Sequence, residues 1–411
     1  MNLDNGVISL TDFDVVICGG GMIGTAMALR LAPLGLTIAL VEAKQPQAFA
    51  INQAFDLRVS AISPQSRGLL EQCGAWSMLE NMRMCPYQYM RVWELAGFGD
   101  LTFAAKDVKV DNLGYIIENR LLQLSLWHNL AQWTNIELIC PAKPVQINRL
   151  AKRYQITLDT QQQLHAKLLI GADGGQSVVR QSCGIGVNSS QYEQACLVAS
   201  VATELGQQDI TWQRFTSTGP QAFLPLPGQH GSLVWYHQAE QIREMKDWSN
   251  QQVAMAISAA FPTELGSFSV LNKGHFRLQK QHAQAYTKEG VALIGDAAHM
   301  INPLAGQGVN LGFQDVACLA QLIQTALSQN QLWHSQQVLQ QYARQRRLAN
   351  GLMMTTMDFF YHTFSNQRAP LKWIRNGMLA GAAVPAIKHH VIRYAMGQKV
   401  LPKPFSFLSS G

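Results

Sequence analysis

A run of mostly β-branched residues from Asp14 to Cys18 leads straight into Gly19-Gly20-Gly21-Met22-Ile23-Gly24. An apolar helical pattern from Thr25 to Leu34 follows, Gly35 stops it, and Leu36 to Glu42 reads as a second strand ending in an acid. This order of strand, glycine turn, helix and strand leaves little freedom of fold. The first glycine permits a tight turn, the second lets backbone approach a pyrophosphate, and the third packs helix against strand. Glu42 stands at the spacing from Gly19 at which an acid reaches a ribose hydroxyl. The pattern predicts an α/β fold with a Rossmann-like start, open to FAD and NAD alike.

Two later stretches carry the same logic. Lys167 to Gly174 is a buried strand closing on Ala-Asp-Gly, with Ser177 and Arg180 on the helix after it. Asp173 reads either as a turn former or as a ligand contact, since Asp-Gly is a common turn pair. Val291 to Ile294 is another short strand, and it opens into Gly295 to Asp315, GDAAHMINPLAGQGVNLGFQD. There Asp296 can present its carboxylate to a sugar hydroxyl or a backbone amide. Pro303, Gly306 and Gly308 interrupt the chain before a helical pattern from Val309 to Ile323. Glycines let backbone amides come close to a ligand, and a helix N-terminus adds partial positive charge. Such a loop suits a large, flat, electron-rich group.

At 411 residues the chain exceeds what one hydrophobic core holds, so two or three packed units are expected. Charged residues make up only 14%. No apolar window long enough for a membrane span occurs, and the N-terminus lacks the basic region and apolar core of a signal peptide, which points to the cytoplasm. The seven cysteines are scattered without a metal-binding spacing and read as free thiols. Charge is uneven. Asp358 is the last acidic residue and seven Lys or Arg follow it, so the net charge of +6 resides in the tail. Leu371 to Met396 reads as a basic helix bent at Pro385. It either docks on an anionic membrane surface or a protein complex, or caps the nucleotide domain with a solvated basic face.

Between the signals, Arg58 sits over a cofactor or pairs with Asp56 at the surface. Asn119 caps the amphipathic helix carrying Leu122, Leu126 and Leu130, and secondarily offers a cofactor contact. Tyr192 to Phe276 is mostly alternating strands with one helix near Gln251 to Phe261, a second and largely antiparallel unit. Its aromatics Trp212, Phe215, Phe223, Trp235 and Tyr236 line a pocket between the units or fill a core. His299 reads as a hydrogen-bonded structural histidine.

Taken together, the three signals resemble a group A flavoprotein monooxygenase with the p-hydroxybenzoate hydroxylase fold. Asp56-x-Arg58-x-x-Ala61, the GDAAHxxxPxxGQGxNxGxxD stretch, and Tyr342-x-x-x-Arg346-Arg347-x-x-Asn350 carry the likeness, which runs from about residue 13 to residue 397. Within that family the chain is similar to the ubiquinone-biosynthesis hydroxylases, through Gly219-Pro220-x-Ala222-Phe223-Leu224-Pro225-Leu226, Leu233-Val234-Trp235-Tyr236 and Met357-Asp358-x-Phe360-Tyr361 among others.

The resemblance implies an FAD-binding domain over 1–75, 104–182 and 277–345, an inserted substrate domain over 76–103 and 183–276, and a helical basic tail over 346–411. It implies that Gly19, Gly21 and Gly24 approach the FAD pyrophosphate and that Glu42 holds the adenosine ribose. Arg58, Asn119, Asp173 and Asp296 match cofactor-contacting positions. Pro303, Gly306 and Gln307, with Gly308, Val309 and Asn310, are expected against the isoalloxazine, where amides stabilise the reduced flavin. The implied reaction uses NAD(P)H and O₂, through a flavin C4a-hydroperoxide, to hydroxylate a polyprenylated quinol ring, demethoxyubiquinol fitting best. Alternatives are another ring position, another phenol, or a flavin-bearing scaffold without turnover. Other ubiquinone-biosynthesis proteins or a membrane surface are the expected partners, oligomerisation is open, and nucleic acid is not expected.

Overall fold

The computed structural model describes residues 10–95, 100–301 and 308–364. Pro303, Gly306, Gln307 and the stretch from Leu371 to Met396 lie outside the described residues.

One sheet is built on parallel strands. In spatial order Val291–Leu293, Gln163–Gly171, Leu10–Cys18, Ile38–Val41 and Ile136–Ile139 lie side by side. Val15, Val16, Ile17, Leu168, Leu169 and Ile170 are all buried. Their continuous apolar runs suit a parallel sheet covered on both faces. A meander of Pro144–Arg149 and Tyr154–Leu158 joins antiparallel to the first half of Gln163–Gly171. The helices Met22–Leu31 and Gly308–Ser328 pack on each other, and Gly312 permits it: a Cβ there would come within 2.7 Å of Ile23 Cδ1.

Register decides where the motifs meet. Cys18 lies opposite both Gly171 and Val41, and Gly171 lies opposite Leu293. The strands therefore end flush, and Gly19, Glu42, Asp173 and Gly295 all emerge from one edge. That edge is the carboxyl end of a parallel sheet, where open α/β folds bind their ligands.

The other large sheet is antiparallel except where Ile210–Thr216 runs parallel to Tyr89–Glu94. Its central strands are Phe268–Ala283, Val187–Thr203, His230–Gln238 and Gly219–Leu226. Alternation splits it by parity. Leu197, Ala199, Val201, Leu233 and Trp235 face a core closed by the helices Ala239–Met245 and Asn250–Ala260. Cys196, Val198, Val234 and Tyr236 face the other way. The second helix begins with Ser249 and Gln252 in a reciprocal capping box. The first was not expected from the sequence, being only about two turns between strand and loop.

Two expectations need correction here. Asn119 is the first residue of the helix Asn119–Leu130, and Glu118 occupies the cap position without a side-chain cap. The helix Gln336–Phe364 runs unbroken past residue 346, where a separate tail was expected to begin. Arg346 and Asn350 fix that part of it in the interior (below).

Candidate active site

The glycine turn separates two jobs. Gly19 has a φ of 106°, and a Cβ there would lie 2.4 Å from the Ala172 carbonyl oxygen. A Cβ on Gly24 would lie 1.8 Å from the Gly19 carbonyl oxygen, so these two glycines are required by packing. Gly21 differs, because a Cβ on it would meet nothing within 4 Å. It lines a cavity at the N-terminus of Met22–Leu31, where amides and the helix dipole favour an anion. Glu42 turns back onto the turn: Oε2 accepts from the Gly20 amide at 2.7 Å and Oε1 from the Lys44 amide at 3.0 Å. Sequence reading missed the other supports. Thr25 Oγ1, Gln123 Nε2 and Trp127 Nε1 all donate to the Gly20 carbonyl. Gln123 and Trp127 are one helical turn apart on Asn119–Leu130 but stand 103 and 107 residues from Gly20, so no local signal tied them to the turn.

Arg58 does not pair with Asp56. Asp56 takes Arg120 at 2.9 Å, while buried Glu118 holds Arg83 at 2.6 Å. Arg83 also donates to the carbonyls of Gln53 and Ala54. These two ion pairs pin the loop that precedes Arg58. Its guanidinium lies 5.2 Å from the Phe276 ring centre, on the cavity wall. Among the described residues it makes no ion pair. Asn119 also lines the cavity; its Oδ1 accepts from Ser60 Oγ at 2.7 Å.

Asp173 is more than a turn former and less than a free ligand contact. Its Oδ2 accepts from the amides of Val178 and Val179, at the start of the short helix Val178–Ser182, and its buried Oδ1 has no partner among the described residues. Asp296 is exposed into the open cavity between buried neighbours, Gly295 and Ala297. The protein mass around the cavity mouth pushes its carboxyl pKa up by desolvation, against the charges of His299 and Arg58.

Beneath Gly295 lies a buried network that the motifs contained and the sequence reading gave no role. Asp315, fully buried, accepts from the Gly295 amide at 3.0 Å and from His299 Nε2 with one oxygen. The other takes Arg346 Nε at 2.7 Å and Asn350 Nδ2 at 3.2 Å. Burial works against the charged carboxylate, yet His299 and Arg346 hold its pKa down at about 2. His299 is thus a structural histidine, as expected. Tyr342 donates to the Leu293 carbonyl and Asn350 to the Tyr286 phenol, so the helix Gln336–Phe364 braces the strand and the loop together. Asn310 serves structure too. Its side-chain amide accepts from the Ser63 amide and Ser66 Oγ and donates to the Ala61 carbonyl, tying the start of the helix Gly308–Ser328 to the segment around Ser63.

One cavity of about 480 Å³ joins the units. Gly21, Arg58, Asn119, Asp296, Gly308 and Val309 line one side, and Val198, Ala222, Leu224, Val234, Tyr236 and Phe276 the other. Of the five aromatic candidates only Tyr236 lines it. Trp212, Phe223 and Trp235 sit in the core behind the sheet, and Phe215 is buried away from the cavity. Phe276 was missed. Ile301 and Gly308, which flank the segment holding Pro303, Gly306 and Gln307, both line the cavity. The open face of Gly21, the carboxylate of Asp296 and the unpaired cation of Arg58 together fit a dinucleotide carrying a flat ring.

Residues 148–356 match the family model described as an FAD binding domain. The 3-demethoxyubiquinol 3-hydroxylase of Escherichia coli (strain K12) is 40% identical, covering 93% of this chain and 98% of that one. The mitochondrial ubiquinone biosynthesis monooxygenase COQ6 of Danio rerio is 34% identical over 93% of this chain and 89% of its own. Among solved structures, p-nitrophenol 4-monooxygenase PnpA from Pseudomonas putida DLL-E4 superposes with a TM-score of 0.76 at 17% identity, covering 96% of this chain and all of that one, a likeness of fold. The chain belongs to the FAD-dependent monooxygenase family that includes the ubiquinone-biosynthesis hydroxylases.

Proposed function

We propose that this protein hydroxylates the ring of a polyprenylated benzoquinol, demethoxyubiquinol, in ubiquinone biosynthesis, with NAD(P)H and O₂ as co-substrates. The observation that carries this reading is the cavity with a dinucleotide-type wall on one side and an apolar sheet face on the other. FAD bound there supplies the activation of O₂ with electrons taken from NAD(P)H. The chain does the rest. The amide face at Gly21 binds pyrophosphate, with Gly19 and Gly24 allowing the turn. Glu42, besides bracing that turn, keeps lone pairs for a ribose hydroxyl. Arg58, Asn119, Asp173 and Asp296 are assigned to the cofactor's polar portions. Amides at the start of the helix Gly308–Ser328, from Gly308, Val309 and Asn310, stabilise negative charge on the ring system. Pro303, Gly306 and Gln307 are assigned a catalytic role in the same loop sequence.

The apolar face formed by Val198, Val234, Tyr236 and Phe276 takes the quinol ring and keeps water from the reacting centre. The basic residues after Asp358 supply the charge for docking on an anionic membrane surface, from which a polyprenylated substrate is drawn. Among the described residues no helix is long and apolar enough to cross a membrane.

Product analysis tests the reading. Purified FAD-loaded protein is given NAD(P)H, ¹⁸O₂ and a short-chain demethoxyubiquinol. A ring carrying one ¹⁸O-hydroxyl at the vacant position is the expected product. NAD(P)H consumption with only H₂O₂ released would assign the flavin chemistry to another substrate.

A further inference from the structure

The cavity's sheet wall holds one side chain that its surroundings do not satisfy. On the strand His230–Gln238, residues 232, 234 and 236 face the cavity and residues 233 and 235 face the core behind it. Ser232 is 2% exposed, and its Oγ has no hydrogen-bond partner among the described residues. Its cross-strand neighbours are Leu224 on one side and Ser200 on the other. Gln213, another polar residue of this wall, is only half-buried. A buried hydroxyl left unpaired is destabilising, and an apolar residue of the same size would pack here without that penalty. The chain's choice of serine makes sense if a partner arrives with the ligand.

We propose that Ser232 is a specificity-determining residue that hydrogen-bonds a ring oxygen of the substrate, while its neighbours Val234, Leu224 and Val198 contact the ring's carbon framework. This rests on the assignment of the sheet face to the quinol ring. A hydroxyl can donate to a carbonyl or methoxy oxygen and accept from a ring hydroxyl, so the contact survives in either redox state of the ring. Sites built to pair with a ligand oxygen reject analogues lacking it far more strongly than apolar pockets reject a missing methyl, because the buried group is again left unpaired.

The test compares dissociation constants of two probes on the FAD-loaded full chain, read from perturbation of the flavin spectrum. The probes are 2-methoxy-5-methyl-1,4-benzoquinone and the oxygen-free 1,2,4-trimethylbenzene. Ser232→Ala is expected to weaken the quinone about tenfold and to leave the hydrocarbon within about twofold. Ser232→Thr, which keeps the hydroxyl, is expected to keep the preference for the quinone even where its extra methyl weakens both probes. Ser232→Ala with an unchanged preference, or Ser232→Thr without one, overturns the assignment. A wild-type protein that shows the preference but hydroxylates no quinol overturns the functional reading and leaves Ser232 in place. One that hydroxylates the quinol while Ser232→Ala keeps the preference overturns the Ser232 assignment alone.

Discussion

The two sheets that meet at the cavity place their functional atoms in opposite ways. In the parallel sheet the central strands are buried on both faces and function sits in the loops at their carboxyl ends. Gly21 and Asp296, far apart in sequence, are brought to one edge by strand register. In the antiparallel sheet function sits within the strands, on alternate residues such as Val198, Val234 and Tyr236. The first arrangement depends on backbone and tolerates no side chain at two glycines. The second depends on side chains and on a phase that a one-residue slip would invert.

The sharpest way to break this contrast is within the glycine turn. Gly24→Ala drives a Cβ onto backbone at 1.8 Å and should abolish flavin retention and most soluble yield, read as flavin absorbance per protein. Gly21→Ala, with nothing within 4 Å, should melt like the wild-type apoprotein and lose at least about tenfold in FAD affinity. Equal damage from both would refute the division between packing and ligand-facing glycines.

Next in size is the buried network beneath Gly295. Arg346→Met leaves Asp315 buried without its cation and should cost about 3–5 kcal/mol in denaturant unfolding. Asp315 also sets a pH dependence. Its carboxyl is lowered from 3.8 to about 2 in the folded chain, so its stabilisation is complete above pH 3.8 and is lost as pH falls toward 2. Asp315→Asn should remove that acid-side slope; a variant with the wild-type slope below pH 3.8 would contradict the assignment.

Parity in the antiparallel sheet gives a smaller and more specific effect. Leu233→Ala should destabilise by about 2–5 kcal/mol with little change in KM for the quinol. Val234→Ala, one residue on, should leave stability within about 1 kcal/mol and raise KM several-fold. Smallest of all, Asp56→Asn should cost no more than about 1 kcal/mol, since the Arg120 pair is partly exposed. Arg58 is not that acid's partner, so FAD affinity should hold in Asp56→Asn and fall in Arg58→Met.

The same contrast explains what was legible in the sequence. Loop chemistry is written as glycines and acids at fixed offsets from apolar runs, so Gly19, Gly21, Gly24, Asp296 and the strands before them could be read directly. Strand phase was written only faintly. Leu233-Val234-Trp235-Tyr236 is apolar throughout, so both faces look alike, and Trp235 and Tyr236 parted only when the helices covering one face were in place. The roles of Asn310, Asn119 and Asp56 depended on partners distant in sequence: Ser63 and Ala61, Ser60, and Arg120. Arg346 and Asn350 stood in a recognisable motif, but nothing local tied them to Asp315, which lies on a different helix.

A crystal structure of the FAD-loaded protein with the methoxyquinone probe bound tests the central claim most directly. The expected result is a cofactor running from Gly21 to Asp296, with the probe against Val198, Val234 and Tyr236. A probe seated elsewhere, or a cofactor that leaves the carboxyl edge of the parallel sheet empty, would contradict it.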